Sequence, residues 1–217
     1  MAATTTDASA FSTAWVPILL ESAVSINHPR PEPVHIGRLL LATRDPHLLP
    51  DPSAVEEALA AHGFLGARLP GRTNAFLAGD RFLRLLTFAG CSVQVELSPT
   101  GDGPFCHVLI TGPFESPRFL SGRGTRPPRC PACRNPLKKW QQTLAAWESG
   151  ETANIPCPSC GETNPPWAYD WKEKAGFGRL FVQIEEVFPG EAVPTPELMK
   201  LVERVTHSEW RHFYIQN

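Results

Sequence analysis

Four of the six cysteines in this 217-residue chain stand in two Cys-Pro-X-Cys pairs, Cys130/Cys133 and Cys157/Cys160, with 23 residues between the pairs. A Cys-X-X-Cys turn sets two sulfurs on one side of a tight loop, and two such turns facing each other offer four thiolates. That donor set suits Zn²⁺, which has a filled d shell, accepts soft sulfur ligands and closes as a tetrahedron. With all four positions held by protein the ion is structural, since a catalytic zinc keeps one position open. Iron in the same tetrathiolate is not distinguished by spacing. A redox Cys-X-X-Cys sits at the amino end of a helix after a strand, whereas here Pro136 and "GETNPP" follow the pairs.

The second pair continues as Cys157-Pro-Ser-Cys160-Gly161. In this it resembles the zinc-ribbon or rubredoxin-type knuckle family, whose recurrent motif is Cys-Pro-X-Cys-Gly. The resemblance covers about residues 126–165, is specific to the metal site, and implies structural Zn²⁺ on Cys130, Cys133, Cys157 and Cys160. The first pair departs from the motif, because Arg134 stands where glycine is usual. Between the pairs, Asn135 is expected to cap and Pro136 to open a helix that carries Leu137, Trp140, Leu144 and Trp147 on one face and ends at Ser149-Gly150. Metal ligation of this kind contributes about 10–16 kcal/mol of apparent binding free energy to folds that are otherwise marginal.

Charge is segregated around the same region. Residues 116–147 hold Arg118, Arg123, Arg126, Arg129, Arg134, Lys138 and Lys139 and no acid, so the block carries +7 while the whole chain carries −2. One reading is a surface for an anionic partner, with Phe119, Trp167, Tyr169 and Trp171 available to stack on bases. The other is compensation: four thiolates around Zn²⁺ leave −2, which Arg129 and Arg134 can offset, and the remaining cations can pair with an acidic host. A pI near 6.4 falls short of a dedicated nucleic-acid binder. The segment "NPPWAYDW" offers Trp167, Tyr169 and Trp171 as an exposed aromatic hook for a protein.

The elements that must position this cassette follow from the flanking pattern. Hydrophobic residues make up 42% of the chain, enough for a core, and no apolar run approaches the ~20 residues of a membrane span. The first 33 residues, Thr/Ala-rich and closing on "NHPRPEP", read as an arm without a secretory signal, which places the protein in the cytoplasm. There thiols stay reduced and paired cysteines favour metal over disulfides. "HIGRLLLAT" reads as a buried strand, and "DPSAVEEALAAHG" as a helix capped by Asp51. "RFLRLLTF", "SVQVEL" and "FCHVLIT" read as three strands of an antiparallel meander. After the cassette, "GRLFVQIEEVF" is a strand, "TPELMKLVERVTHSEW" a helix capped by Thr195, and "RHFYIQN" a last strand.

The expected architecture is α+β, mainly an antiparallel sheet with flanking helices. Residues 34–117 and 177–217 form the host and residues 118–176 an inserted four-cysteine zinc-ribbon lobe. Outside the cassette, Cys91 and Cys106 are the remaining thiols, and alternation puts Cys106 and His107 on opposite faces of one strand, against a nucleophile–base pair. There is no phosphate-binding glycine loop, dinucleotide fingerprint, nucleophile elbow or His-Glu-X-X-His, so nothing argues for an enzyme, although distant residues can converge on a site on the host sheet. The leading expectation is a binding or adaptor module that meets a protein partner. Nucleic-acid binding through the basic insert is the second.

Overall fold

The computed structural model describes residues 37–89, 95–99, 103–150 and 152–216. The amino-terminal arm, Cys91 and the first half of the expected "SVQVEL" strand lie outside them. In chain order the elements are β1 (Gly37–Thr43), α1 (Pro52–Ala61), β2 (Leu65–Arg68), β3 (Ala75–Ala78), α2 (Phe82–Leu85), β4 (Leu86–Phe88), β5 (Val108–Thr111) and β6 (Arg118–Ser121). They continue with α3 (Trp140–Glu148), β7 (Ile155–Pro156), β8 (Thr163–Asn164), β9 (Ala175–Gly178), β10 (Phe181–Glu185), β11 (Ala192–Pro194), α4 (Pro196–Thr206) and β12 (Trp210–Gln216).

Six strands form one antiparallel sheet in the order β12-β1-β10-β5-β3-β2, so the fold is α+β and sheet-dominated as the patterning predicts. Its centre is β10, flanked by β1 through Leu39↔Ile184 and by β5 through Val182↔Ile110. One face carries Leu39, Leu41, Val108, Val182 and Ile184, which pack with Val55 and Leu59 of α1 and Leu198, Leu201 and Val202 of α4 in the main core. Both helices begin as their sequences dictate. Asp51 accepts from the Ser53 amide at 3.0 Å, and Thr195 Oγ1 accepts from the Leu198 amide at 3.3 Å while donating to Leu85 O at 3.1 Å.

The opposite face is covered too. Leu40, Ala42, Phe181, Phe213 and Ile215 form a second apolar cluster against Phe114 and Leu120. Leu120 belongs to β6, which pairs with β9 from Arg118↔Gly178 to Ser121↔Ala175 and so forms a ribbon at the base of the cysteine segment. Covering on both faces explains why all five residues of β10 are buried, a pattern more usual of parallel sheets.

At the sheet edge, β12 uses its outward backbone groups on the same region. The Tyr214 amide donates to Glu173 O at 2.8 Å, and Gln216 O accepts from the Arg123 amide at 2.8 Å.

Three expectations need correction. "RFLRLLTF" is not a continuous strand: Phe82–Leu85 form one helical turn, which buries Phe82 and Leu85, and only Leu86–Phe88 extend, pairing with β11. Residues 95–97 carry no strand, although Glu96 O accepts from the Cys106 amide at 2.7 Å. The cassette helix opens at Trp140 rather than Pro136, because Pro136 bridges Arg129 in extended form and the Leu137 amide donates to Pro128 O. The β2–β3 hairpin went unseen in the sequence, its four-residue strands being too short for alternation to register.

The ribbon meets the sheet closely at Gly176, where an added Cβ would overlap the buried Phe213 ring. Gly176→Ala is therefore expected to lower stability by about 1–3 kcal/mol. Gly178→Ala, whose nearest neighbours are ring atoms of Phe181 at 3.2 Å, should cost clearly less. Urea midpoints at unchanged slope check both, and equal midpoints would contradict the packing described.

Candidate metal centre

The four cassette cysteines converge. All four Sγ atoms lie within 4.8 Å of one another, with Cys130–Cys160 at 3.8 Å and Cys133–Cys157 at 3.7 Å. A disulfide would need about 2.05 Å, whereas a tetrahedron of sulfurs around an ion at about 2.3 Å has edges of about 3.8 Å. Both close approaches join one cysteine of each pair, which is how two facing turns close a single tetrahedron. The residues therefore fit a four-coordinate metal ion with no position left open.

The two turns share one backbone plan. The Cys130 amide donates to Asn135 O at 2.9 Å and Cys130 O accepts from the Arg134 amide at 3.0 Å. In the second turn the Cys157 amide donates to Glu162 O at 2.8 Å and Cys157 O accepts from the Gly161 amide at 2.9 Å. The residue after the second cysteine is left-handed in each, with φ of 63° at Arg134 and 76° at Gly161. Arg134 thus adopts the conformation that the usual glycine takes, at a cost of about 1–3 kcal/mol for a non-glycine residue. Offsetting this, its Nη2 donates to Asp170 Oδ2 at 2.7 Å.

Asp170 joins several parts of the lobe. It also pairs with Lys172 Nζ at 3.0 Å, accepts from the Lys172 amide, and exchanges backbone hydrogen bonds with Arg129 just before Cys130. Burial opposes its charge, but hydrogen bonds from Lys172 and Arg134 prevail and hold its carboxyl below the usual range.

The electrostatics of the sulfurs favour a cation at their centre. Amide N–H groups of Ser159 and Cys160 pull the Cys157 thiol down to about 6. The Cys160 thiol receives an amide hydrogen bond from Glu162, which lowers it, yet local desolvation at the cluster and the neighbouring sulfurs push it up to about 12, although the residue as a whole is exposed. Without an ion, one thiolate forms readily and resists its neighbours; four together require positive charge between them.

The aromatic shell comes from α3 and the segments around it. Leu137, Trp140, Leu144, Ile155, Tyr169, Trp171 and Phe177 bury one cluster with Cys130 and Cys157. Phe119 lies 4.8 Å from Phe177 and 4.9 Å from Trp171 between ring centroids, and Trp140 meets Trp171 edge-on at 5.4 Å. Tyr169 Oη donates to Ile155 O at 2.8 Å and Trp171 Nε1 to Pro166 O at 2.9 Å. At 3% and 4% exposure, Tyr169 and Trp171 are not an exposed hook: their rings complete the lobe core. Trp167 is half-buried, edge-on to His47 at 4.8 Å.

The basic residues Arg118, Arg123, Arg126, Arg129, Arg134, Lys138 and Lys139 are all exposed. Arg134 is spent on Asp170, Arg129 Nη1 donates to Arg134 O at 3.3 Å, and Arg118 lies over Phe114 at 5.7 Å. Among the described residues no carboxylate pairs with Arg123, Arg126, Lys138 or Lys139. Sequence reasoning did not single out Lys172 and Lys174. They line a cleft of about 520 Å³ with Arg123 and Arg126, and the run "DWKEK" was the available signal. Cys106 sits in the main core at 1% exposure, and burial pushes its thiol up to about 12, so it is packing rather than chemistry. No helix among the described residues is long and apolar enough to cross a membrane.

Comparison of the chain with protein-family models, with curated proteins and with solved structures finds no match.

Elemental analysis is expected to find one metal ion per chain. Its removal by a strong chelator should abolish the near-ultraviolet circular dichroism of Trp140 and Trp171 while the far-ultraviolet signal of the sheet persists; an unchanged near-ultraviolet spectrum would separate the metal from the aromatic core. Arg134→Gly should leave stability unchanged or raise it by up to about 1 kcal/mol, because relieved backbone strain exceeds the ~0.2–1 kcal/mol of an exposed ion pair. Asp170→Ala should cost about 1–3 kcal/mol. With its carboxyl depressed in the folded state, the Asp170 contribution is full above the ordinary carboxylate range and fades as pH falls through it. Wild type and Asp170→Ala should therefore converge in acid, which chemical denaturation at stepped pH checks.

Proposed function

We propose that this chain is a zinc-clamped binding module, in which a zinc ribbon holds a lobe against an α+β sheet and presents a basic cleft to an acidic segment of a protein partner. Cys130, Cys133, Cys157 and Cys160 hold the zinc, which supplies structure and no chemistry of its own. Thiolate ligands suit a reducing compartment, in keeping with the cytoplasm.

One observation carries the reading. In the cleft of about 520 Å³, Arg123, Arg126, Lys172 and Lys174 face a single carboxylate, Asp170, which is already bonded to Arg134 and Lys172. The cleft is also preorganised. Thr125 Oγ1 accepts from the Gly122 amide at 3.0 Å and donates to Lys174 O at 2.8 Å, and the Arg123 amide is tied to β12. Cations held on a braced loop lose little freedom when an anion arrives.

A phosphate backbone would meet the same charges, so nucleic acid is the second reading. Tyr169 and Trp171 are buried, and Phe119 and Trp167 do not line the cleft, so the cations lack the adjoining aromatic platform that single-stranded bases use, and this favours the protein partner.

The test is fluorescence anisotropy with a labelled glutamate-rich peptide and a labelled single-stranded oligonucleotide, at about 50 and 200 mM salt. The peptide is expected to bind, to weaken with salt, and to lose roughly tenfold or more in affinity with Arg123→Ala/Arg126→Ala. Binding of the oligonucleotide alone would transfer the reading to nucleic acid. Binding of neither would remove it.

A further inference from the structure

The basic cleft of about 520 Å³ is lined by two segments of the chain, Arg123–Pro127 and Asp170–Lys174 without Glu173. Arg123 and Arg126 are exposed and Lys174 is half-buried, and among the described residues none of the three pairs with a carboxylate. Lys172 is set against Asp170, which Arg134 also holds. The lining therefore carries four cations against one carboxylate, and three of those cations are unpaired and open to solvent.

Backbone bonds fix both walls. On the first, the Arg123 amide donates to Gln216 O at 2.8 Å and the Thr125 amide to Gly122 O at 3.0 Å. Pro127 and Pro128 then lock their own φ angles, and Pro128 O accepts from the Leu137 amide at 2.9 Å. On the second wall, Lys172 and Glu173 are consecutive left-handed residues, each with φ of 54°. Non-glycine residues rarely adopt that conformation, and such strain persists only where surrounding bonds impose it. Here the Lys172 amide donates to Asp170 Oδ1 at 3.0 Å, Glu173 O accepts from the Tyr214 amide at 2.8 Å, and the Lys174 amide donates to Trp171 O at 3.0 Å. Thr125 Oγ1 joins wall to wall by donating to Lys174 O at 2.8 Å. The first wall also offers main-chain donors. Among the described residues the amides of Gly124 and Arg126 have no protein acceptor, and an added Cβ at Gly124 would meet nothing within 4 Å.

The arrangement of this charge separates the acidic groups that a partner can offer. A run of glutamates spreads its charge along a chain, one unit per side chain, and suits a linear stripe of cations. The cleft instead gathers its unpaired cations round one cavity, which suits charge concentrated at a point. A phosphorylated serine or threonine carries about −1.5 to −2 and three strong acceptor oxygens at neutral pH. The planar fork of a guanidinium meets such oxygens with paired hydrogen bonds.

We infer that the cleft recognises a phosphoserine or phosphothreonine of its protein partner, with Arg123, Arg126 and Lys174 binding the phosphoryl oxygens. This rests on the acidic-partner reading of the same cleft and narrows it to one modified side chain. The strained turn at Lys172–Glu173 then has a use, since it brings Lys174 across to Thr125 and the arginine loop.

The experiment is fluorescence anisotropy on the full-length, metal-loaded protein with three labelled peptides of one otherwise neutral sequence, carrying phosphoserine, glutamate or serine at the centre. The phosphoserine peptide is expected to bind saturably, the glutamate peptide at least tenfold more weakly, and the serine peptide not at all. Affinity for the phosphoserine peptide should rise between about pH 5.5 and about pH 7.5, as the phosphate takes its second charge near pH 6; no histidine lines the cleft to impose that trend itself. Arg123→Ala/Arg126→Ala and Lys174→Ala should each weaken phosphopeptide binding roughly tenfold or more, and Arg123→Lys/Arg126→Lys should weaken it by less, since the charge stays and the fork is lost. Arg123 and Arg126 are exposed, so their variants should melt with wild type and the loss reads on binding alone. Equal affinity for the phosphoserine and glutamate peptides would overturn the inference and leave the acidic-partner reading standing, as would binding of the glutamate-rich peptide without the phosphoserine peptide. Binding of none of these peptides would remove both. Free O-phosphoserine binding as tightly as the phosphopeptide would overturn the inference in favour of a small phosphomonoester, and tighter binding of the oligonucleotide would overturn it in favour of nucleic acid.

Discussion

Four sulfurs at 3.7–3.8 Å across the two turns cannot all carry charge unless a cation sits among them, and the carboxyl-terminal half of the molecule is arranged around that constraint. Among its described residues, the lobe between β6 and β9 has two two-residue strands, one nine-residue helix and one 3-10 turn at Pro166–Ala168, too little regular structure to be stable alone. A tetrathiolate ion contributes about 10–16 kcal/mol in comparable small sites, more than the stability of many domains. The four sulfurs stand at the spacing such an ion requires, and at that spacing Tyr169 and Trp171 close the aromatic core beside them. Asp170 extends the same order outward by joining the first turn, through Arg134, to the segment that leads back to the sheet.

The lobe and the sheet therefore form one argument about packing. Leu120 and Phe114 cover the face of the sheet that the helices do not, and Gly176 gives up its side chain so that Phe213 can fit. Charge is distributed by the same logic. Cations that the fold needs are consumed internally, as Arg134 and Lys172 are by Asp170, whereas Arg123, whose amide is bonded to Gln216 O, and Arg126, next to the braced Thr125, have no carboxylate partner among the described residues. An excess of positive charge that the fold holds in position without neutralising it is the physical basis of the proposed binding role.

The metal ligands were legible because a Cys-X-X-Cys turn is a local device: four residues contain both donors and the turn that aims them. The two capped helices were legible for the same reason, since Asp51-Pro52 and Thr195-Pro196 carry their start signals within a few residues. What escaped was decided at a distance. Trp171 reads as a surface aromatic in "NPPWAYDW" until Phe119, Trp140 and Phe177 arrive from three other segments. "RFLRLLTF" alternates well enough for a strand, but Phe82 and Leu85 must both enter the main core and a helical turn puts them on one side. The start of α3 was misplaced because Pro136, a good first helical residue, is taken up by a bridge to Arg129 that no local pattern announces.

The bonds from Glu173 and Arg123 to the outer edge of β12 have a consequence beyond the single molecule. An uncovered strand edge is a template on which the chain of a neighbouring molecule can add, and natural sheets protect such edges. Here the protecting segments flank the lobe that carries the four-cysteine cluster, so the order of that lobe and the cover over the sheet rim are tied to one another.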